Sequence, residues 1–159
     1  RTLRTGRTYG AVTSLFHVFS YLTETADLVA GFETVAEHLA PHGVFLFDCW
    51  YGPGVLSDPP AVRVRRMEDE SCQILRVAEP TLHAARNVVD VDYTVFVTDR
   101  ATGVVRTISE RHSMRYLFEP EVDDLLERVG LKRMATHEWM THQPPGLNSW
   151  QALFVVRRA

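Results

Sequence analysis

Two cysteines in 159 residues exclude a disulfide framework. Cys49, in an apolar run, and Cys72, in a polar one, have neither the number nor the spacing of a zinc site, so both are expected as free thiols. No apolar run approaches the ~18 residues of a membrane span, and the leading RTLRTGRTYG is positively charged without the apolar segment of a secretion signal. The expected location is cytoplasmic, with no membrane partner. Positive charge is not gathered either. The formal net charge is −3 and the arginines are scattered, whereas nucleic-acid binding needs basic residues concentrated on one face. The densest basic spot, VRVRR, alternates like the solvated face of a strand. There are no repeats and no low-complexity tract.

What remains is an ordinary apolar fraction, 45%, enough for one domain with a buried core. YGAVTSLF is a short, nearly continuous apolar run, the pattern of a strand covered on both faces in a parallel sheet. From Asp27 to Leu39, the residues Leu28, Phe32, Val35, Ala36 and Leu39 recur at helical spacing, with Thr25 as the expected cap and Asp27 at the positive end of the dipole. APHG stops that helix. VFLFDCW follows as a second apolar run, bounded by glycine and by YGPG, so residues 11–48 read as strand, helix, strand: one right-handed crossover.

After SDPP the period changes to two. Val89, Val91, Tyr93, Val95 and Val97 face one way and Asp90, Asp92 and Thr94 the other, as in a half-buried antiparallel strand. DRATG turns the chain, and VVRTISERHSMRYLF returns with Ile108, Met114, Tyr116 and Phe118 on one parity. With Val62 to Met67 and Ile74 to Ala78 this makes an antiparallel layer of about four strands, inserted over residues 60–118 of a single domain spanning 1–159. Pro120, Glu121, Asp123 and Asp124 then suit a first helical turn, Val122, Leu125, Leu126 and Val129 form an apolar face, and Gly130 fits the C-terminal cap. LKRMATHEWM and WQALFVVRR read as two strands joined by THQPPGLNS, a loop suited to rimming a pocket.

In this order the segments YGAVTSLFHVFSYLT, AEHLAPHGVFLFD, CWYGP and RVGL resemble the second half of a class I S-adenosylmethionine-dependent methyltransferase. The resemblance covers residues 7–48 and 119–156. It implies an α/β, partial Rossmann-like sheet made of the family's fourth, fifth, seventh and sixth strands with their helices. The insertion and the HSMRYLF strand leaving it resemble members that methylate small molecules, including aminosugar N-methyltransferases. The implied cofactor is S-adenosylmethionine and the implied partner a small polar acceptor. The family's glycine-rich loop and ribose-binding acidic residue have no counterpart in this chain, which therefore reads as a fragment. Position 10 is glycine where relatives carry aspartate.

Ligands of open α/β sheets lie beyond the carboxyl ends of the strands. Under the resemblance, Leu15, Phe16 and His17 border the cofactor, with Ser20 and Tyr21 on the loop facing the transferred methyl. His17 or Tyr21 is then suited to orient or deprotonate the acceptor. The plain alternative has His17 as a polar residue satisfied at a strand end and Tyr21 as a core aromatic. Asp48, ending its strand, is placed to hold an acceptor amine or hydroxyl with Trp50 and Tyr51 as walls, or else caps the turn. Arg115, Tyr116, Glu138 and Trp139 are further candidates for an acceptor pocket, though rim ion pairs account equally for Arg115 and Glu138. His112, His137, His142 and Glu138 form no credible metal set. Two rivals stand beside methyl transfer: a non-catalytic module forming a homodimer through the edge of the fourth strand, and a small-molecule binding domain built on the antiparallel layer.

Overall fold

The apolar run after Thr8 forms strand β1 (Tyr9–Ser14), but its residues are exposed or half-buried rather than covered on both faces as the run suggests, because among the described residues it pairs with one neighbouring strand alone. In this computed structural model, which describes residues 2–159, helix α1 (Thr25–His38) follows, and then β2 (Leu39–Tyr51). β1 and β2 pair in parallel, from Ala11 opposite Val44 to Ser14 opposite Phe47, which is the crossover expected from the alternation of strand and helix patterns. The cap of α1 is Glu24 rather than Thr25, and it makes no side-chain cap bond. Thr25 is the first helical residue. APHG does interrupt the chain, but as an irregularity within β2. Tyr9 pairs with Leu39 while Ala11 pairs with Val44, and His42 takes φ 64 in the space between.

His38, buried at the end of α1, is held on both ring nitrogens. Nδ1 lies 2.7 Å from the Thr34 carbonyl and Nε2 accepts the Thr5 N–H at 2.9 Å, so the hydrogen belongs on Nδ1. YGPG does not simply bound the strand, because Gly52–Ser57 winds into a short helix, α2, with proline in its first turn.

The chain divides into two units, Arg1–Pro59 with Met114–Ala159, and Pro60–Ser113. In the first, α3 (Glu119–Glu127) is followed by β7 (Leu131–Glu138) and β8 (Gln151–Arg158). β8 runs antiparallel to both β2 and β7, giving the strand order β1, β2, β8, β7. Gly130, at φ 71, ends the α3 segment, a conformation that costs a side chain but not glycine. Leu28, Phe32 and Val35 of α1 and Val122, Leu125 and Leu126 of α3 pack in one core with Phe45 and Phe47 of β2 and Phe154 and Val156 of β8. Helical spacing on the helices and alternate positions on the strands therefore meet on one sheet face. Cys49 is buried in the same cluster, and burial pushes its thiol well up; both cysteines are free.

The second unit is antiparallel. β3 (Arg63–Glu68), β4 (Cys72–His83), β5 (Val88–Asp99) and the start of β6 (Val105–Leu117) lie in chain order. Residues 105–113 of β6 belong to this unit and 114–117 to the first. Val89 and Val91 are buried while Asp90 and Asp92 are half-buried, but from Tyr93 to Thr98 both parities are half-buried. The strict alternation read from the sequence is thus expressed only at the start of β5. β3 is exposed along its whole length. At the β3–β4 turn, the Ser71 hydroxyl and the backbone N–H groups of Cys72 and Ser71 converge on Asp69 at 2.7–2.8 Å and hold its carboxyl down to about 2. Among the described residues, no helix is long and apolar enough to cross a membrane.

Candidate active-site corner

Because β1 and β2 are parallel with Ser14 opposite Phe47, the carboxyl end of β1 opens beside β2, which runs on to Tyr51 rather than ending at Asp48. Leu15, Phe16 and His17 leave β1 there, and the next residue of β2 is Asp48. Phe16 and His17 take φ 66 and 63, two consecutive non-glycine residues in the left-handed region. Each costs on the order of 1–3 kcal/mol and persists only where its surroundings enforce it.

Two hydrogen-bonding groups from β2 supply the enforcement. The His17 N–H donates to both Asp48 oxygens, at 3.2 Å and 3.1 Å. The Trp50 N–H donates to Ser20 Oγ at 2.9 Å. A 3-10 turn, Val18–Tyr21, closes the segment, with the Ser20 N–H bonded to the His17 carbonyl at 3.0 Å. Ser20 is buried and serves as this backbone acceptor. It does not face an open site, contrary to the sequence expectation.

Asp48 is 0% exposed. A carboxylate so enclosed needs compensation, and the imidazole of His17 stands against it with Nδ1 2.7 Å from Oδ2. The N–H direction of the ring is turned off that oxygen, so Nδ1 is buried without a well-aligned hydrogen bond. The His17 side chain itself is 22% exposed. Phe16, by contrast, is 76% exposed and meets the edge of Trp139 at a centroid distance of 6.4 Å. Leu15, Val18 and Tyr21 are exposed beside it in sequence. The corner therefore couples an apolar, outward aromatic surface to a half-shielded imidazole backed by a buried negative charge.

The structure brings Leu15, Phe16, His17, Asp48 and Trp139 into this arrangement and takes other candidates elsewhere. Asp48 is shut off from any acceptor and holds the His17 backbone instead. Trp50 engages Ser20 through its N–H and meets Trp150 edge to face at 5.4 Å. Tyr51 is nearly buried, its hydroxyl donating to Glu119 at 3.2 Å; burial and that carboxylate push the phenol up. Glu119 in turn pairs with Arg133 at 2.5 Å, and Arg133 grips Asp123 through two bonds of 2.6 Å and 2.7 Å. This network ties β2, α3 and β7 together, and nothing in residue spacing announces it.

Arg115 donates to the Thr23 carbonyl at 2.9 Å and forms an ion pair with Glu121, which pins the loop after Tyr21 to the start of α3. Tyr116 is 0% exposed and its hydroxyl has no hydrogen-bond partner among the described residues; burial pushes that phenol up too. Its face is set by parallel pairing with Trp50, so Tyr116 is a core residue and cannot reach an acceptor as it stands. Glu138 accepts the Ser149 hydroxyl at 3.0 Å, bracing the loop before β8. His137 and His142 meet edge to face at 6.2 Å, and among the described residues no group of three or more metal-ligating side chains gathers.

No family model matches the chain. A curated relative, dTDP-3-amino-3,4,6-trideoxy-alpha-D-glucopyranose N,N-dimethyltransferase of Streptomyces venezuelae, is 31% identical over 134 residues, 83% of this chain and 54% of that protein. The chain thus spans about half the length of that relative. An S-adenosylmethionine-dependent methyltransferase from Clostridium acetobutylicum superposes with a TM-score of 0.83 at 19% identity, covering 99% of this chain and 61% of that one. DesVI of Streptomyces venezuelae superposes with a TM-score of 0.78 at 26% identity, with coverage of 99% and 61%. The strand order β1, β2, β8, β7 is that of the family's fourth, fifth, seventh and sixth strands. In fold the chain is a class I S-adenosylmethionine-dependent methyltransferase, and it resembles the members that methylate aminosugars.

Proposed function

We propose that this chain forms part of an enzyme that transfers a methyl group from S-adenosylmethionine to the nitrogen or oxygen of a small polar acceptor. The observation that carries the reading is the corner itself: an exposed Phe16 and a half-shielded His17, held in left-handed backbone at the carboxyl end of β1 beside the parallel strand β2, the side of the sheet where ligands of α/β proteins collect. The residues present fit one wall of such a cofactor. Leu15, Phe16 and the edge of Trp139 offer apolar and aromatic surface to an adenosyl group. When bound, the cofactor supplies a methyl group on an electron-poor sulfonium centre.

An amine or hydroxyl that gains a methyl group sheds a proton. His17 is the side chain at this corner suited to accept it, and Tyr21, half exposed at the end of the same turn, is suited to orient the acceptor through its hydroxyl. General-base assistance of this kind is worth roughly 10²–10⁴ in rate. The test is methyl transfer from labelled S-adenosylmethionine to a panel of small amines and alcohols by the full-length gene product. Transfer is expected, with kcat for His17→Ala lowered about a hundredfold or more and KM for the cofactor little changed. Undiminished kcat in His17→Ala would remove the imidazole from the reaction.

A further inference from the structure

Sequence spacing offers Asp48 as a ligand for the acceptor, yet its burial and its partners give it a different task. We infer that Asp48 is the positioning residue of His17, fixing the ring hydrogen on Nδ1 and leaving the Nε2 lone pair as the base. Three observations converge. Asp48 is 0% exposed and its two oxygens accept the His17 N–H, so the carboxylate and the backbone that carries the imidazole are one unit. Nδ1 lies 2.7 Å from Oδ2. And Nδ1 is itself buried with no other partner among the described residues, so water cannot satisfy it.

These facts decide between the two neutral tautomers. With the hydrogen on Nε2, Nδ1 and Oδ2 would stand 2.7 Å apart with no hydrogen between them in a site closed to solvent, and turning the ring toward the carboxylate would set lone pair against lone pair. With the hydrogen on Nδ1, the same contact becomes attractive, and a turn of the ring aligns it as a charge-assisted hydrogen bond. The opposite edge of the imidazole, Nε2, then carries the free lone pair. The left-handed pair Phe16 and His17 belongs to this device, because it brings the His17 N–H and the ring to the same carboxylate. A histidine whose tautomer is set by a buried carboxylate on its other nitrogen is a recurrent arrangement for a proton acceptor. The value of that lone pair for catalysis rests on the methyl-transfer reading; the placement of the hydrogen does not.

The experiment is nitrogen-15 NMR of the full-length gene product, labelled at histidine and measured with the His17 ring neutral. The ring shifts of His17 are expected to report Nδ1–H as the dominant tautomer. In Asp48→Asn the side-chain oxygen keeps the His17 N–H while its NH2 turns toward Nδ1, and the dominant form is expected to become Nε2–H. Ser20→Ala, which loosens the same turn without touching the carboxylate, is expected to retain Nδ1–H. Dominant Nε2–H in the wild type would overturn the inference, and so would unchanged Nδ1–H in Asp48→Asn. Should Asp48→Asn fail to fold, the wild type and Ser20→Ala spectra decide: loss of Nδ1–H in either rejects it. Methylation is not read here, so a protein with Nδ1–H that transfers no methyl would fail the functional reading and leave this assignment standing.

Discussion

Phe47→Ala is expected to lower unfolding free energy by about 3–5 kcal/mol, the range for truncating a fully buried phenylalanine. Phe47 is 0% exposed and sits at the centre of an aromatic cluster. It stacks on Phe45 at 5.1 Å and on Phe154 at 4.9 Å, and meets Phe19 at 5.0 Å and Phe32 at 5.5 Å. Those rings come from α1, from β2 and β8, and from the turn that follows His17, so the cavity would be shared by the strand that carries Asp48 and the turn that closes the corner. A domain of this size has a margin of roughly 5–15 kcal/mol, and the substitution consumes a large part of it. Urea denaturation with an unchanged m-value would measure the loss. Phe47→Leu, which refills most of the volume, should cost markedly less. A loss below about 1 kcal/mol in Phe47→Ala would mean that the rings are not close-packed.

Gly54→Ala is expected to be nearly as damaging for the opposite reason. A Cβ there would lie 2.0 Å from the Ser149 carbonyl oxygen and 2.5 Å from its carbon. Both are backbone atoms, so no rotamer change relieves the clash. The displaced segment is also anchored: Tyr51 donates to the Trp150 carbonyl at 2.9 Å, and the Trp150 indole donates to the Asp58 carbonyl at 3.1 Å. Moving Ser149 therefore strains the end of β2 as well. Overpacking of this kind costs about 1–3 kcal/mol, and more where the neighbours are fixed. At the upper end of that range, about 3 kcal/mol, the melting temperature of a chain of this length should fall by roughly 6–12 °C. A fall below about 2 °C would contradict the close approach.

Local pattern made the frame legible. The apolar runs of β1 and β2, the helical spacing of Leu28, Phe32 and Val35, and the acidic first turn and terminal glycine of α3 are each encoded within a few residues. So is the period of two at the start of β5. What escaped depends on contacts distant in sequence. The irregularity at APHG is the slack between Tyr9 opposite Leu39 and Ala11 opposite Val44, and only the pairing reveals it. That Asp48 serves the backbone of His17, 31 residues away, needs the parallel register of the two strands.

The same holds for the residues around the corner. Leu15, Phe16 and His17 were readable as a strand end, but not their left-handed backbone, since neither phenylalanine nor histidine signals it as glycine would. Tyr51 looks like a pocket wall because it follows the apolar run of β2, and Arg115 and Tyr116 because they stand where the inserted layer returns to the frame. The hydrogen bond to Glu119, the ion pair with Glu121 and the pairing with Trp50 turn them inward, in that order.

The central claim is that the Phe16–His17 corner is a wall of the cofactor site. It is tested most directly by calorimetric titration of S-adenosylhomocysteine into the full-length gene product, wild type against Phe16→Ala. Phe16 is exposed at the corner and absent from the buried core, so its truncation should leave the fold intact. Aromatic contacts of this kind are worth about 0.5–1.5 kcal/mol beyond their buried area, and 1.4 kcal/mol is a factor of ten in affinity. The account predicts saturable binding by the wild type and dissociation about tenfold or more weaker in Phe16→Ala. No binding by the folded wild type, or equal affinity in the variant, would contradict it.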